Sequence, residues 1–238
     1  MLFNYTWSKS MDNMPWNQGA TSIGAQNSFA YPITMSNFKA LDYGPTEFDH
    51  TDVIAASYVY TEPKIMQNAP GGLRYLVNGF ETTGLIQRRT GDPLTIFSSA
   101  ANNSGSLQNR DRAVYSGSAA YGGTACTTTV NCRNYLNPAA FSVNPVGTFG
   151  NVQKGTFRGP GYADWDVSAA RNFPFSERTA LQFRAEYFNV LNHTNLGDPG
   201  TTLGGSFGKI TSTSPQLWTA TQPQNDPRIA QFSLKLLF

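Results

Sequence analysis

The residues best suited to chemistry are four charged side chains at alternate positions of two neighbouring segments, 162–173 and 180–191: Asp164, Asp166, Arg184 and Glu186. One possible interpretation is a glycosidase, which needs two carboxylates on either side of the glycosidic bond that it cleaves. Here a cation lies between the carboxylates in the pattern, and nothing in the sequence indicates a pocket. Because alternate side chains of a strand share a face, the pattern favours a charge ladder on the lumen face of a hairpin, with cross-strand neighbours about 5 Å apart.

No other group forms a recognisable catalytic or metal site. The two histidines, His50 and His193, lie far apart in the sequence, each near a predicted strand end. They would share a metal ion only if folding brought them together, and the alternative is two solvated loop residues. Neither Gly-x-Ser-x-Gly nor Gly-x-x-x-x-Gly-Lys-Ser/Thr occurs. We therefore expect no enzyme, no cofactor and no metal site.

The two cysteines, Cys126 and Cys132, lie in a polar segment with no histidine nearby. A zinc site would lack its other ligands, whereas a disulfide in an oxidising compartment needs only the pair. The spacing therefore favours a disulfide that closes a small loop outside the cytoplasm.

Alternation of apolar and polar residues between turn residues predicts about six strands. They lie near 2–9, 50–60, 76–90, 162–173, 180–191 and 228–238. The connections 10–49, 91–161 and 192–227 are long and rich in Gly, Asn, Ser, Thr and Pro, while 61–75 and 174–179 are shorter. This asymmetry is typical of a transmembrane β-barrel with large external loops and short periplasmic turns. The predicted fold is all-β, an antiparallel transmembrane β-barrel segment that forms a partial barrel with long external loops.

The last strand has one apolar face and one polar face. Its apolar positions from Phe232 onward are Phe232, Leu234, Leu236 and Phe238, and Gln231, Ser233 and Lys235 alternate with them. In an outer-membrane barrel such a strand turns its apolar residues to lipid and its polar ones to the lumen. The ending resembles the assembly signal that the barrel-assembly machinery recognises, and we expect these four apolar residues to act as one. A soluble β-sandwich would alternate in a similar way, but compact folds rarely carry a connection of about 70 residues.

Composition sets further limits on the class of protein. The chain has 238 residues and a net charge of +2, too small to indicate a nucleic-acid partner. It has no apolar run of about 18 residues, but alternating strands cross a membrane without one. No secretory signal peptide is evident at residues 1–9. We expect an exported chain of this kind to be a piece of a longer protein.

Five aromatic residues lie in the long connections: Trp16, Tyr31, Tyr115, Tyr121 and Trp218. Exposed aromatic rings could stack on a sugar or a siderophore. The alternatives are packing within the loops or a place in the aromatic belt at the membrane interface.

Several motifs, in order and spacing, are similar to those of a known family. They are Asn137-Pro138-Ala139-Ala140-Phe141, Gly147-Thr148-Phe149-Gly150-Asn151, Arg158-Gly159-Pro160-Gly161, Trp165-Asp166-Val167-Ser168, Glu177-Arg178-Thr179, Leu181-Gln182-Phe183-Arg184-Ala185-Glu186-Tyr187-Phe188-Asn189 and Asn192-His193-Thr194-Asn195. The chain resembles the carboxyl-terminal barrel of TonB-dependent receptors. It looks most like the Oar-like branch, whose members carry an amino-terminal carboxypeptidase-regulatory-like domain.

The resemblance implies an energised outer-membrane transporter for a large solute such as a siderophore or an oligosaccharide. Such a barrel has about 22 strands around a plug. The whole chain, 1–238, would then be the carboxyl-terminal portion of the barrel without its plug domain. The implied partners are outer-membrane lipid, the barrel-assembly machinery, the rest of the same barrel and its plug, and TonB only through the missing amino-terminal part. Alone, such a chain is expected to be an incomplete sheet with long disordered loops that aggregates through its edges.

Two other functions stay open at this point. One is a small outer-membrane barrel with a structural or adhesive role. The other is a secreted β-sandwich that binds carbohydrate.

Overall fold

Six long strands dominate the part of the chain that the computed structural model describes, residues 1–13, 42–61, 70, 78–100, 102–106, 111–122, 132–213 and 227–238. They are β1 (Leu2–Trp7), β2 (Asp52–Thr61), β3 (Glu81–Arg89), β4 (Tyr162–Pro174), β5 (Ala180–Phe188) and β6 (Ile229–Leu237). Each strand overlaps one of the six that the alternating pattern predicts. The all-β prediction is confirmed. The described residues contain no helix long and apolar enough to cross a membrane.

The six strands form one antiparallel sheet in which the spatial order follows the chain order. Each strand therefore pairs with its neighbours in sequence, as in an up-and-down barrel wall. Within the described residues, β1 pairs only with β2 and β6 only with β5. The part of the sheet that the structure describes therefore has two open edges.

The registers sort the side chains onto two faces, because residues directly opposite each other point to the same side. On β4 to β6 the first face, called here the apolar face, is formed by Trp165, Val167, Ala169, Arg171, Phe173, Leu181, Phe183, Ala185, Tyr187, Ala230, Phe232, Leu234 and Leu236, of which Arg171 is the one charged residue. On the same strands the other face, the polar face, carries Asp164, Asp166, Ser168, Asn172, Gln182, Arg184, Glu186, Gln231, Ser233 and Lys235. Phe232, Leu234 and Leu236 are each more than half exposed. An exposed face this rich in apolar residues indicates contact with lipid.

The two ends of the sheet differ. At one end the β4–β5 turn is tight, with the Phe175 amide donating to the Thr179 carbonyl at 2.9 Å. The three long connections leave from the opposite end, after Trp7, Arg89 and Phe188. They therefore gather above a single rim of the sheet.

The described parts of the long connections are folded, which differs from the expected disordered loops. They pack around a loop core of buried residues: Leu94, Ile96, Ala113, Ala120, Leu136, Ala140, Phe141, Val152, Phe157 and Phe207. These residues are scattered singly among Gly, Ser and Asn, so no period of 2 or 3.6 reveals them in the sequence. Only the fold brings them together.

The described parts of the long connections form one layer above the rim, called here the loop layer. Two-residue antiparallel ribbons and a helical turn stabilise it. The ribbons pair Met11–Asp12 with Gly44–Pro45, Pro93–Leu94 with Phe157–Arg158, Val114–Tyr115 with Phe141–Ser142, and Arg133–Asn134 with Lys209–Ile210. A 3₁₀ helix spans Pro138–Ala140, where the Asn137 side chain accepts a hydrogen bond from the Ala139 amide at 3.1 Å. The Asn-Pro-Ala-Ala-Phe motif thus supplies both the cap and the first-turn proline that a helix start favours.

Phe141 is the centre of the aromatic packing in the loop core. Its ring lies 5.3 Å from Tyr115, 5.2 Å from Phe157 and 5.4 Å from Phe207, centroid to centroid. Replacing it by alanine leaves a cavity and removes three ring contacts, so we expect Phe141→Ala to destabilise the loop layer by about 3–5 kcal/mol.

Limited proteolysis of the membrane-embedded protein measures this effect. Phe141→Ala should speed cleavage in the loops and leave the strand fragments intact. Val146→Ala, at a residue that is 84% exposed, is the control and should cleave like the wild type. Equal loop cleavage in all three proteins would contradict the loop core.

Candidate functional site

Polar contacts join β4 and β5 on the polar face of the sheet. Arg184 Nε donates to Ser168 Oγ at 3.2 Å, and the same nitrogen lies 3.3 Å from Glu186 Oε1. One row further along, Gln182 Nε2 donates to Asn172 Oδ1 at 3.0 Å. This surface carries both signs of charge and many hydrogen-bonding groups, as the wall of an aqueous lumen does.

The register places the four residues of the predicted charge ladder on one face but does not set them all side by side. Ser168, not an aspartate, lies directly opposite Glu186, and Ala170 lies opposite Arg184. The reason is that β4 continues through Pro174, which pairs with Ala180, so the aspartates lie too far along β4 to face these residues of β5.

The two aspartates have other neighbours. Asp164 lies opposite Gln87 of β3. Asp166 Oδ1 accepts a hydrogen bond from the Asn189 amide at 2.9 Å. The structure therefore brings Arg184 and Glu186 together, while the two aspartates lie nearer the loops. A charge ladder formed by the four residues stays a prediction.

A buried ion pair ties the long connections together at the rim. The Asp49 side chain is fully buried and accepts hydrogen bonds from Arg158 Nη2 at 2.5 Å, the Ser10 amide at 2.7 Å and Thr51 Oγ1 at 3.2 Å. Arg158 Nη1 also donates to the Asp49 carbonyl at 2.7 Å. Because Ser10 and Asp49 belong to the first connection and Arg158 to the second, the pair fastens two long loops to each other.

The surroundings of Asp49 shift its pKa. Burial raises the pKa, but the hydrogen bonds from Arg158 and the Ser10 amide outweigh it and hold the pKa below its ordinary value. A carboxyl group whose folded-state pKa is lowered stabilises the fold above its unfolded pKa of about 3.9. That contribution is lost as the pH falls through the lowered value.

Arg158 belongs to the Arg158-Gly159-Pro160-Gly161 motif, and the structure shows why glycine follows it. A Cβ atom on Gly159 would collide with Asp198 Oδ1, and one on Gly91 would collide with the Gly159 carbonyl. The motif therefore combines the arginine of the ion pair with a glycine that allows the loops to approach each other closely.

We expect Arg158→Ala to loosen the rim, because the change leaves Asp49 buried without its cation. The cost should be about 3 kcal/mol, the lower end for a broken buried pair, since Arg158 is partly exposed. Proteolysis of the loops at pH 7 measures it. Arg178→Ala, in the exposed β4–β5 turn, is the matched control and should not change the cleavage rate; equal rates for both variants would contradict the anchoring role.

Two aspartates from distant parts of the chain meet in a small cavity beside this anchor. The cavity has a volume of about 220 Å³ and is lined by Arg89, Asp92, Tyr162, Asp198, Ser212 and Thr213 among others. Burial, followed by the charge of Asp92 and a hydrogen bond to it, raises the pKa of Asp198 to about 7, and Arg89 opposes the shift. Asp198 therefore keeps its proton up to about pH 7.

This carboxyl pair is not among the residues predicted from the sequence. Its one sequence signal is a repeated tripeptide, because both Asp92 and Asp198 stand in Gly-Asp-Pro, at 91–93 and 197–199. A single sequence gives no reason to join two tripeptides that lie so far apart.

The raised pKa of Asp198 gives a testable pH dependence. The folded state holds the proton up to about pH 7, whereas the unfolded chain releases it near pH 4, so the unfolded state is favoured progressively as the pH rises between these values. Asp198→Asn should remove this dependence and stabilise the loop layer on the order of 2 kcal/mol at pH 8, a figure reduced for partial solvent access.

Loop cleavage rates at pH 5 and pH 8 provide the measurement. Glu177→Gln, in the exposed turn at the other end of the sheet, is the control for removing one carboxylate and should keep the wild-type pH profile. A wild-type profile in Asp198→Asn as well would contradict the raised pKa of Asp198.

The histidines do not meet. His50 Nδ1 lies 3.0 Å from the Thr90 carbonyl and 3.5 Å from Asp92 Oδ1, while His193 Nδ1 lies 3.1 Å from Asn195 Oδ1. No group of three metal-ligating side chains converges in the described segments.

The remaining predicted residues have the following positions. Phe232, Leu234 and Leu236 lie on the apolar face, and Phe238 follows the end of β6 with its side chain 99% exposed. An assembly role for them stays a prediction. Cys126 lies outside the described residues, so its disulfide with Cys132 also stays a prediction.

The loop aromatics differ in what the structure shows of them. Tyr115 stacks on Phe141 inside the loop layer, and its hydroxyl donates to the Ser118 carbonyl at 2.6 Å. Tyr121 packs edge-on against Tyr135, while its hydroxyl accepts a hydrogen bond from the Arg158 amide at 2.9 Å. Both therefore have a structural role in the loops. Trp16, Tyr31 and Trp218 lie outside the described residues.

Comparison with known proteins gives one match. A family model described as an outer membrane beta barrel domain matches residues 1–231. No curated protein and no solved structure matches the chain.

Proposed function

The chain belongs to the outer membrane beta barrel domain family, and from this premise we propose that it forms part of the barrel of a TonB-dependent receptor of the Oar-like branch. The protein lies in the cell outer membrane. Its proposed task is the uptake of a large solute, such as a siderophore or an oligosaccharide. The proposal assigns it no catalytic activity and no cofactor.

The observation that supports this function most is the pair of open edges on a sheet with one apolar and one polar face. In lipid, each unpaired backbone group costs several kcal/mol, so β1 and β6 need further strands beside them. A barrel of about 22 strands would supply those strands and enclose a lumen wide enough for a plug. The rest of such a barrel and its plug are the proposed partners, and TonB would act through the plug.

The polar face supports a wide aqueous lumen. Two separate groups of side chains interact on this face, Arg184 with Ser168 and Glu186, and Gln182 with Asn172. They leave the surface open, and the Arg184 side chain is 46% exposed. Small closed barrels fill their interior with packed side chains. An open charged wall is better suited to a barrel that contains water or a plug.

The folded loop layer gives the proposed transporter a structured outer mouth. The loop core and the Asp49–Arg158 pair hold the first and second connections in place before any solute arrives. Binding to a preorganised surface avoids the entropic cost of ordering long loops. Outer-membrane lipid and the barrel-assembly machinery complete the set of proposed partners.

The second candidate is a structural or adhesive outer-membrane protein. The observation that favours it is the same packed loop layer, because a surface with its own core could present a binding site to another cell without any transport. Membership of an outer-membrane family rules out the third alternative, a secreted carbohydrate-binding β-sandwich.

Uptake by intact cells separates the two candidates. Cells that carry the gene and cells that lack it would be given iron-loaded siderophores and oligosaccharides, with and without an uncoupler of the proton gradient. Energised transport predicts uptake of one solute class that needs both the gene and the gradient. Unchanged uptake of all of them, together with weaker attachment of the cells lacking the gene, would replace transport by adhesion.

A further inference from the structure

A lysine and an aspartate meet in the loop layer, one from each of the first two long connections. Lys154 Nζ, in the second connection, donates a hydrogen bond to Asp12 Oδ1, in the first. The Lys154 side chain is 6% exposed and the Asp12 side chain 30%. The other ion pairs between described residues are formed by arginine or histidine. Among the described residues, this pair is therefore the one that combines a primary amine with a carboxyl group, the two groups that condense to an amide.

The backbone holds both members of the pair in place. Asp12 lies opposite Gly44 in a two-residue ribbon. A Cβ atom on Gly44 would collide with the Lys154 carbonyl, so the close approach of the two loops requires glycine at this position. Gly44 therefore contacts both residues of the pair and fixes the distance between their backbones.

The residue after Lys154 is also fixed. Gly155 has a φ of +61°, and its amide donates to Thr95 Oγ1 at 2.9 Å. Pro93 and Pro45 lie 3.0 and 3.1 Å from the place where a Cβ atom of Gly155 would be. Two reacting groups held in contact by such rigid surroundings can reach an effective concentration on the order of 10⁵–10⁸ M. A condensation that is very slow in solution therefore becomes feasible at this position.

A second carboxyl group, that of Glu47, lies beside the pair. It follows Thr46, whose amide donates to the Ser10 carbonyl at 2.9 Å, so the turn that carries Glu47 is tied to the segment before Asp12. Burial raises the pKa of Glu47, while Lys154 opposes the rise and Asp12 adds to it. Both members of the pair therefore lie close enough to act on Glu47. A carboxyl group with a raised pKa is better suited than an ordinary one to accept and return a proton near neutral pH.

We propose that Lys154 and Asp12 join in an intramolecular amide bond, with Glu47 as the proton shuttle. The Lys154 ammonium gives a proton to the Asp12 carboxylate, which produces an amine and a carboxylic acid, the forms that a buried site favours. The amine then attacks Cγ of Asp12, and a C–N bond forms. Glu47 accepts a proton from the nitrogen and donates one to the hydroxyl group, which leaves as water. One C–N bond forms, one C–O bond breaks, and nothing is oxidised or reduced.

The amide bond links the first long connection covalently to the second. It closes a loop of the chain from residue 12 to residue 154, which contains β2 and β3. Such a bond constrains the unfolded chain as a disulfide does, but reducing agents do not cleave it. This inference is independent of the proposed transport, because it concerns how the loop layer is made permanent and not what passes through the barrel.

Peptide mass spectrometry tests the bond directly. Protein isolated from outer membranes is reduced, denatured and digested. The wild type should yield a branched peptide that joins residues 12 and 154, with a mass one water molecule below the sum of the two linear peptides. Lys154→Arg keeps the positive charge but has no amine to condense, so the branched peptide should be absent. Lys209→Arg, at a loop lysine that donates to the Gly205 carbonyl, is the matched control and should retain it.

Glu47→Gln tests the proton shuttle. Removal of a general acid–base group slows a reaction by about 10²–10⁴, so the fraction of chains that carry the bond should fall at least about tenfold. Limited proteolysis should show that the loop layer of this variant is still folded. A wild-type amount of the branched peptide in Glu47→Gln would overturn the assignment of Glu47.

The wild-type digest decides the proposal even if a variant fails to fold. Two separate linear peptides, one with residue 12 and one with residue 154, would overturn the amide bond and identify Lys154 and Asp12 as an ordinary ion pair. Retention of the branched peptide in Lys154→Arg would overturn it as well, because the bond would then not use the Lys154 amine.

Discussion

The whole structure depends on the requirement that backbone amides and carbonyls be paired where no water reaches them. Antiparallel pairing along six consecutive strands meets this requirement and, at the same time, fixes which side chains share a face. A slip of one residue would move Phe232 and Leu234 to the polar side and Ser233 to lipid. The register of the strands therefore also determines which side chains face the membrane.

The same sheet also determines where the loops fold. Because consecutive strands are antiparallel, the ends of β1, β3 and β5 at Trp7, Arg89 and Phe188 lie at one rim. Connections that start so close together can share a core, and the buried residues from Leu94 to Phe207 form it. The Asp49–Arg158 pair then fixes the first connection to the second at the point where the layer joins the sheet.

The sequence predicts the sheet well and the loops poorly. The alternation of apolar and polar residues is sufficient to predict the strands. The face on which a side chain lies depends only on whether its position is odd or even, as in β6. The register between β4 and β5 was not predictable from the pattern, since the pairing of Pro174 with Ala180 decides how the aspartates lie relative to Arg184. Loop contacts such as that between Asp92 and Asp198 join residues that lie far apart in the sequence, so no local pattern predicts them. The Arg158-Gly159-Pro160-Gly161 motif was visible in the sequence, but its partner Asp49 was not.

Side-chain accessibility at neighbouring positions of β6 tests most directly whether this sheet is the wall of an outer-membrane barrel. Single cysteines would replace Ser233 and Phe232 in a chain whose Cys126 and Cys132 are serine, and intact outer membranes would be treated with a water-soluble thiol reagent. A cysteine at 233 should react, whereas one at 232 should react only with a lipid-soluble reagent. Reaction of both positions with the water-soluble reagent, or the reverse pattern, would contradict the account.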